Sequence, residues 1–172
     1  MQGKSVVELG SGLGLPGVTA ARLGAAHVLL QDRSDGPLQE AMETAVENEV
    51  ASQISSLRCE WLGMPTRLLS ASEPALHVFA DADVLLGADI LFSDEAAIQV
   101  ADMLSELLRG PQQVAHIMDP YKRAHRKLFA KQCRSHGLEY EEKEVVTWEP
   151  PGDNRFESDE EWVSQLLTVR RM

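Results

Sequence analysis

The stretch VVELGSGLGLPGVTAARLGAAHVLLQD, Val6 to Asp32, most constrains what this chain can become. An apolar run ends near Leu9, and glycines follow at alternate positions, Gly10, Gly12 and Gly14. Pro16 then opens LPGVTAARLG, which reads as a small-residue helix with proline near its first turn. A second apolar run, AHVLLQD, closes the unit. Strand, glycine turn, helix and strand in this order form a β-α unit that the chain can repeat around a largely parallel sheet.

The rest of the chain keeps that alternation. GPLQEAMETAVENEVA predicts a helix with Leu38, Met42, Ala45 and Val46 along its inner stripe. SLRCEW is a third strand closing at Trp61, and after a loop holding Pro65 and Pro74, ADVLLGAD is a strongly apolar central strand. DEAAIQVADMLSELLRG reads as a helix with an acidic start and a glycine stop. QVAHIMD is a fifth strand and YKRAHRKLFAKQCRSHG a basic helix with a second glycine stop. LEYEEKEVVTW and EEWVSQLLTVRR have no helix between them, only EPPGDNRFESD, so they should pair antiparallel. The expected fold is α/β: a three-layer, Rossmann-like sheet of seven strands, mostly parallel, ending in a C-terminal antiparallel hairpin.

Composition narrows the function. A chain of 172 residues fits a single domain spanning residues 1–172, and 44% hydrophobic with 25% charged residues is a globular balance. A net charge of −11 speaks against a nucleic-acid partner, which calls for a basic face. No apolar run reaches membrane-spanning length and no leader peptide is evident, so no membrane role is expected. Cys59 and Cys133 lie far apart without ligand-like spacing, and read as reduced thiols of a cytoplasmic or nuclear protein. The histidines show no spacing for metal ligation, and RAHRK reads as a solvated face offsetting the acidic hairpin.

The glycine loop can be read in two registers. From Glu8 it is E-x-G-x-G-x-G, the loop under which S-adenosylmethionine lies in many methyltransferases; from Gly12 it is G-x-G-x-x-G, a dinucleotide turn. The strand ends near Leu9, so the turn begins at Gly10, and a start at Gly12 would leave Gly10 and Ser11 unexplained. A carboxylate such as Glu8 at the end of a buried strand needs a cation or hydrogen-bond donors. S-adenosylmethionine offers cationic groups, whereas a pyrophosphate would be repelled; the competing role for Glu8 is a cap on backbone N–H groups. Asp32, ending the second strand, suits a ribose diol, with an N-cap or turn role in DRSDG as its competitor.

These residues resemble the opening of the seven-β-strand methyltransferase family 16, the lysine methyltransferase-like group. The resemblance is specific in ELGSGLGLPG and follows element order over nearly the whole chain. It implies S-adenosylmethionine as cofactor and S-adenosylhomocysteine as product, with Glu8, Gly10, Ser11, Gly12, Gly14, Asp32, Trp61 and Ala88 as cofactor-binding residues. Trp61 stands where the family often has a Trp-Gly pair near the adenine, although WLG departs by one residue. In the family the fourth strand ends in D-x-x-Y; here it is Asp89-Ile90-Leu91-Phe92, keeping the acid and losing the phenol. Asp89 and Phe92 are the expected catalytic pair, and Phe92 still offers an aromatic face to a cation. Asp119 and Tyr121 of DPYKR, and Trp148, are the expected substrate contacts. Family members usually carry a segment ahead of the first strand, which this chain enters at Lys4, so a domain lacking that segment is expected.

The sequence therefore points to a methyltransferase acting on a lysine or other nitrogen of a protein, a monomer whose partner presents an accessible basic residue. The alternatives are a small-molecule N-methyltransferase, a catalytically silent binding module of the same fold and, resting on Gly12-x-Gly14-x-x-Gly17 alone, an NAD-dependent oxidoreductase.

Overall fold

A computed structural model describes residues 1–62, 79, 81–120, 122–148 and 162–172. The first half contains β1 (Ser5–Leu9), α1 (Leu15–Arg22), β2 (His27–Asp32), α2 (Asp35–Glu47), a 3-10 turn (Ala51–Gln53) and β3 (Ile54–Arg58). The second contains β4 (Val84–Ala88), α3 (Asp94–Leu107), β5 (Val114–Pro120), α4 (Arg126–Ser135), β6 (Leu138–Trp148) and β7 (Trp162–Arg171). All seven strands lie in one sheet in the order β3-β2-β1-β4-β5-β7-β6. β1 through β5 pair in parallel, while β7 is antiparallel to both neighbours and so lies between β5 and β6. The expected sheet with its terminal hairpin is the observed one.

Strand periodicity divides the core between the two faces. Val6, Val28, Leu30 and Val84 pack with Val18, Ala21, Leu38, Ala41 and Ala45 beneath α1 and α2. Val7, Leu9, Leu29 and Leu85 pack with Val100, Leu104, Leu107 and Phe129 beneath α3 and α4. Glu8 shares the face of Val6, so it points toward α1. Strand order reverses between β1 and β4, where the outgoing connections leave opposite faces and open a crevice at the strands' carboxyl ends.

Several elements depart from their predicted form for identifiable reasons. The buried residues of α2 are Leu38, Ala41 and Ala45, and Val46 is 65% exposed. At about 100° per residue Val46 lies roughly 80° around the helix from Leu38, past the edge of the inner stripe. β3 starts at Ile54 and ends at Arg58, where its partner β2 ends at Asp32, so Trp61 stands beyond the strand rather than closing it. Residues 94–107 form α3, with the Ser93 hydroxyl accepting from Ala96 N–H at 3.0 Å, but the helix stops before Gly110. Arg171 on β7 terminates it instead, donating to the carbonyls of Leu108 (2.7 Å) and Ser105. α4 begins at Arg126, later than the basic run suggested, and Gly137 at φ +69 closes it as expected.

Gly17 separates packing from backbone strain in a testable way. A Cβ there would lie 2.4 Å from Leu30 and 2.7 Å from the Glu8 carboxylate, whereas one on Gly12 meets nothing within 4 Å but sits at φ +50. Gly17→Ala should cost about 1–3 kcal/mol through overpacking and Gly12→Ala about 1–2 kcal/mol through strain, both read from urea unfolding. Enlarging the variant residue to Val should worsen the defect at position 17 far more than at position 12.

Candidate functional site

The turn after β1 is built from left-handed glycines: Gly10, Gly12 and Gly14 have φ of +58, +50 and +72. Only glycine adopts this conformation without a Cβ penalty. The turn thus starts at Gly10, directly after the strand. Its amides are satisfied from within the fold. Gly10 N–H donates to Gln31 Oε1 (3.1 Å), Ser11 N–H to Gln31 C=O (2.8 Å) and Gly12 N–H to Asp32 Oδ2 (3.0 Å). Gly14 N–H donates to Ser11 C=O (2.7 Å), and Gly17 N–H to Glu8 Oε2 (2.8 Å).

Glu8 is 1% exposed and takes the cap role weighed for it. Burial pushes its carboxyl up to about 7, the Gly17 N–H pulls it down, and the negative charge of Asp32 adds to the rise. A carboxylate under the first turn of α1 also blocks that helix end as a pyrophosphate site. The G-x-G-x-x-G register is therefore occupied by internal bonds, with Gly17 needed for close packing against Leu30.

A cleft of about 340 Å³ opens at the carboxyl edge of the sheet. Gly10, Asp32, Trp61, Ala88, Asp89 and Phe92 line it, so six of the expected residues share one wall system. Ser11 is buried, and it, Glu8, Gly12 and Gly14 stand behind or beside the cleft rather than on its lining. Asp32 accepts Ser34 N–H on Oδ1 (3.0 Å) as well as Gly12 N–H on Oδ2, yet two carboxylate oxygens have further lone pairs to offer a diol.

Gln31 was not singled out from sequence, and it organises this wall. Buried at 1% exposure, it accepts from Gly10 N–H and from Trp61 Nε1–H (2.8 Å) while donating to Cys59 C=O (2.6 Å). The signal was a lone amide at the end of the apolar run VLLQD, where burial demands partners. Trp61 is thereby fixed over the loop, close enough that a Cβ on Gly10 would lie 3.0 Å from its ring. Its centroid lies 6.4 Å from that of Phe92, which is 54% exposed.

Asp89 sits at φ +55, a conformation uncommon outside glycine, and its N–H donates to Met118 C=O at 2.9 Å. Its carboxylate pairs with Arg123, whose Nε lies 3.7 Å from Asp119. Asp119 is fully buried, and burial raises its carboxyl to about 6 against the pull of Arg126 and His125. Arg123 thus links the two expected acids. It belongs to RAHRK, whose reading as a solvated face is corrected here: Arg123 and Arg126 side chains are 24% and 13% exposed and ion-paired, Arg126 with Glu142 at 3.6 Å. Tyr121 lies outside the described residues, as do His77 and the side chain of Trp148 at the end of β6.

Among the described residues no cluster of three or more His, Cys, Asp or Glu is placed to hold a metal, and no helix is long and apolar enough to cross a membrane. His27 meets Ser55 (3.0 Å), His125 meets Asp94 (2.7 Å) and His136 meets Asp102 (2.8 Å). Cys59 and Cys133 are not joined in a disulfide.

A family described as lysine methyltransferase matches residues 1–134. A protein N-terminal and lysine N-methyltransferase of Schizosaccharomyces pombe is 30% identical over 129 residues, covering 73% of this chain and 49% of that protein. A protein N-lysine methyltransferase of Danio rerio is 32% identical over 116 residues, covering 64% of this chain and 47% of its own length. The chain thus spans about half the length of these curated relatives. Among solved structures, a precorrin-6y C5,15-methyltransferase from Geobacter metallireducens has a TM-score of 0.71 at 14% identity, over 100% of this chain and 82% of that one, a likeness of fold.

Glu8 gives the site a pH signature. Its carboxyl titrates near 4.5 when exposed and near 7 when folded, so between these values the native protein holds a proton the unfolded chain has lost. Its contribution to stability is full below about 4.5 and is lost as pH rises through about 7. Asp119 acts with the same sign between 3.8 and about 6. Between about pH 5 and pH 8, wild type should lose on the order of 3 kcal/mol more unfolding free energy than Glu8→Gln. Urea titrations at both pH values measure it, and parallel losses in the two proteins would refute the assignment.

Proposed function

The chain belongs to the lysine methyltransferase family, and from that membership we propose that it transfers the methyl group of S-adenosylmethionine to a lysine, or another basic nitrogen, of a protein. The observation that carries the reading is the single cleft bordered by Gly10 and Asp32 on one side and by Asp89 and Phe92 on the other. Cofactor-binding and acceptor-binding residues face the same space. The names of the curated relatives, which are protein N-methyltransferases, support a protein acceptor.

The residues present fit the cofactor. Gly10 brings bare backbone to the cleft wall, Asp32 retains acceptor capacity for ribose hydroxyls, and Trp61 supplies a flat apolar surface held by Gln31. When bound, S-adenosylmethionine would supply an electrophilic methyl on a sulfonium, whose C–S bond would break as an amine bonds to the methyl, the neutral thioether leaving with the electron pair. The chain's own task is alignment and exclusion of water. Phe92 offers its ring face to the acceptor cation, and Asp89 orients the amine and favours loss of its proton. Because Arg123 already shares the Asp89 carboxylate, Asp89 acts as an orienting acid more than as a strong base. The lost phenol removes one hydrogen bond from the acceptor pocket. The same reading carries a monomer in the cytoplasm or nucleus, with which two cysteines outside any disulfide accord.

Calorimetric titration tests the reading. S-adenosylmethionine and its demethylated product should bind, NAD should not, and Asp32→Ala should weaken both ligands about tenfold or more through the lost charged hydrogen bonds. Absence of binding by either ligand would remove the reading, and tight NAD binding would restore the other register. With radiolabelled methyl donor and lysate, label should enter the protein fraction; label confined to small molecules would assign a metabolite acceptor, and binding without transfer a silent module.

A further inference from the structure

We infer that a basic cleft between α4 and β6 docks an acidic polypeptide segment of the methyl-accepting protein; this rests on the methyl-transfer reading. The cleft measures about 640 Å³. Lys122, Arg123, Arg126, Lys127 and Arg134 line one side, and Tyr140 and Glu142 the other. On a chain of net charge −11, five of sixteen Lys and Arg residues converge on this one concavity.

Their charges are only partly offset. Asp89 and Asp119 serve Arg123, Glu142 lies 3.6 Å from Arg126, and Arg134 stands 5.8 Å from the Tyr140 ring. The exposed Lys122 and Lys127 have no ion pair among the described residues. The placement is electrostatically adverse for the free protein. Arg126 and Lys127 occupy the first turn of α4, where the helix already carries partial positive charge, and no acid shares that turn. His125 ahead of it gives no side-chain cap, being engaged with Asp94. Two lysines without an ion pair among the described residues, set beside three arginines in one concavity, suit an anion brought by a partner.

The choice of anion follows from charge and place. A nucleic acid would meet the repulsion of a strongly acidic chain, whereas a short run of Asp or Glu brings few charges into a confined cleft. Arg123 connects the two spaces: it lines this cleft and pairs with Asp89, which stands on the wall of the other. A peptide whose lysine reaches Asp89 therefore lays its flanking residues against Arg123, Lys122 and Lys127. A carboxylate arriving at Arg123 also competes with Asp89 for that guanidinium, leaving more of the Asp89 charge for the acceptor. The substrate class is a lysine flanked by acidic residues.

Fluorescence anisotropy without cofactor tests this apart from turnover, so a failed methyl-transfer reading would show only in the calorimetry. The probes are a short labelled peptide with one lysine flanked by glutamates, its glutamine counterpart, and a single-stranded oligonucleotide of matching length. The glutamate peptide should bind at least tenfold more tightly than the glutamine peptide, with affinity falling as salt rises. Combining Lys122→Glu with Lys127→Glu, both at exposed positions, should weaken it about five- to tenfold, and Lys143→Glu, outside the cleft, should not. Equal binding of the two peptides, no effect of the double reversal, or tighter binding of the oligonucleotide would overturn the inference.

Discussion

The amides of the glycine loop are bonded to the strands beneath them, and the shape of the cleft depends on that stitching. Left-handed glycines lose more backbone freedom on ordering than other residues. The loop holds its path because Gln31 accepts from Gly10 and Ser11 N–H and Asp32 from Gly12 N–H, while Glu8 accepts from Gly17 N–H at the start of α1. The bond to the Asp32 carboxylate is worth about 1.5–3 kcal/mol, enough to offset part of the ordering cost. Strand register sets where these acceptors stand: Leu9 pairs with Gln31 across β1 and β2, so Gln31 arrives directly beneath Gly10 and Ser11. A slip of one residue would turn Gln31 to the opposite face and release Trp61 together with the loop.

The side of the cleft around Asp89 and Phe92 is held by different physics. Asp89 leaves β4 in a left-handed turn, anchored by one backbone bond to β5, and its carboxylate is steadied by Arg123. Arg123 in turn leans on Asp119, buried at the end of β5. Hydrogen-bonded amides fix the path of the glycine-loop side of the cleft. An ion-pair chain of acid, guanidinium and acid responds to every charge brought near it. The two halves of one cleft can therefore diverge separately, the first constrained by backbone geometry and the second by its ion pairs.

This division also explains what could be read from sequence. Apolar runs of β1, β2 and β4, the spacing of Gly10, Gly12 and Gly14, and the missing helix between the last two strands set the sheet and its terminal hairpin, because each is a local pattern. Asp32, Trp61, Asp89 and Phe92 were legible as neighbours because the carboxyl ends of parallel strands share one edge. Gln31 escaped notice since nothing local distinguishes a structural amide from a tolerated one; only its three partners, distant in sequence, reveal it. Arg123 and Arg126 read as solvent-facing because a basic run on a helix usually is, and their burial follows from packing against β6 and the ends of β4 and β5. The end of β3 was set by the length of its partner β2 rather than by its own residues. Val46 missed the core because the inner stripe of α2 is centred nearer Ala41 and Ala45.

Under the proposed reaction, the exchange of a phenol for Phe92 shifts the task of orienting the acceptor. A phenyl ring attracts a cation over its whole face and imposes little direction. With Phe92 exposed and only loosely packed against Trp61, direction has to come from Asp89. Asp89 is itself shared with Arg123, so the angle at which it meets an amine depends on how far that guanidinium is drawn elsewhere. Selectivity then rests less on a hydrogen bond to one kind of nitrogen than on the charges flanking it, and a site built this way distinguishes substrates by their surroundings more than by the accepting atom.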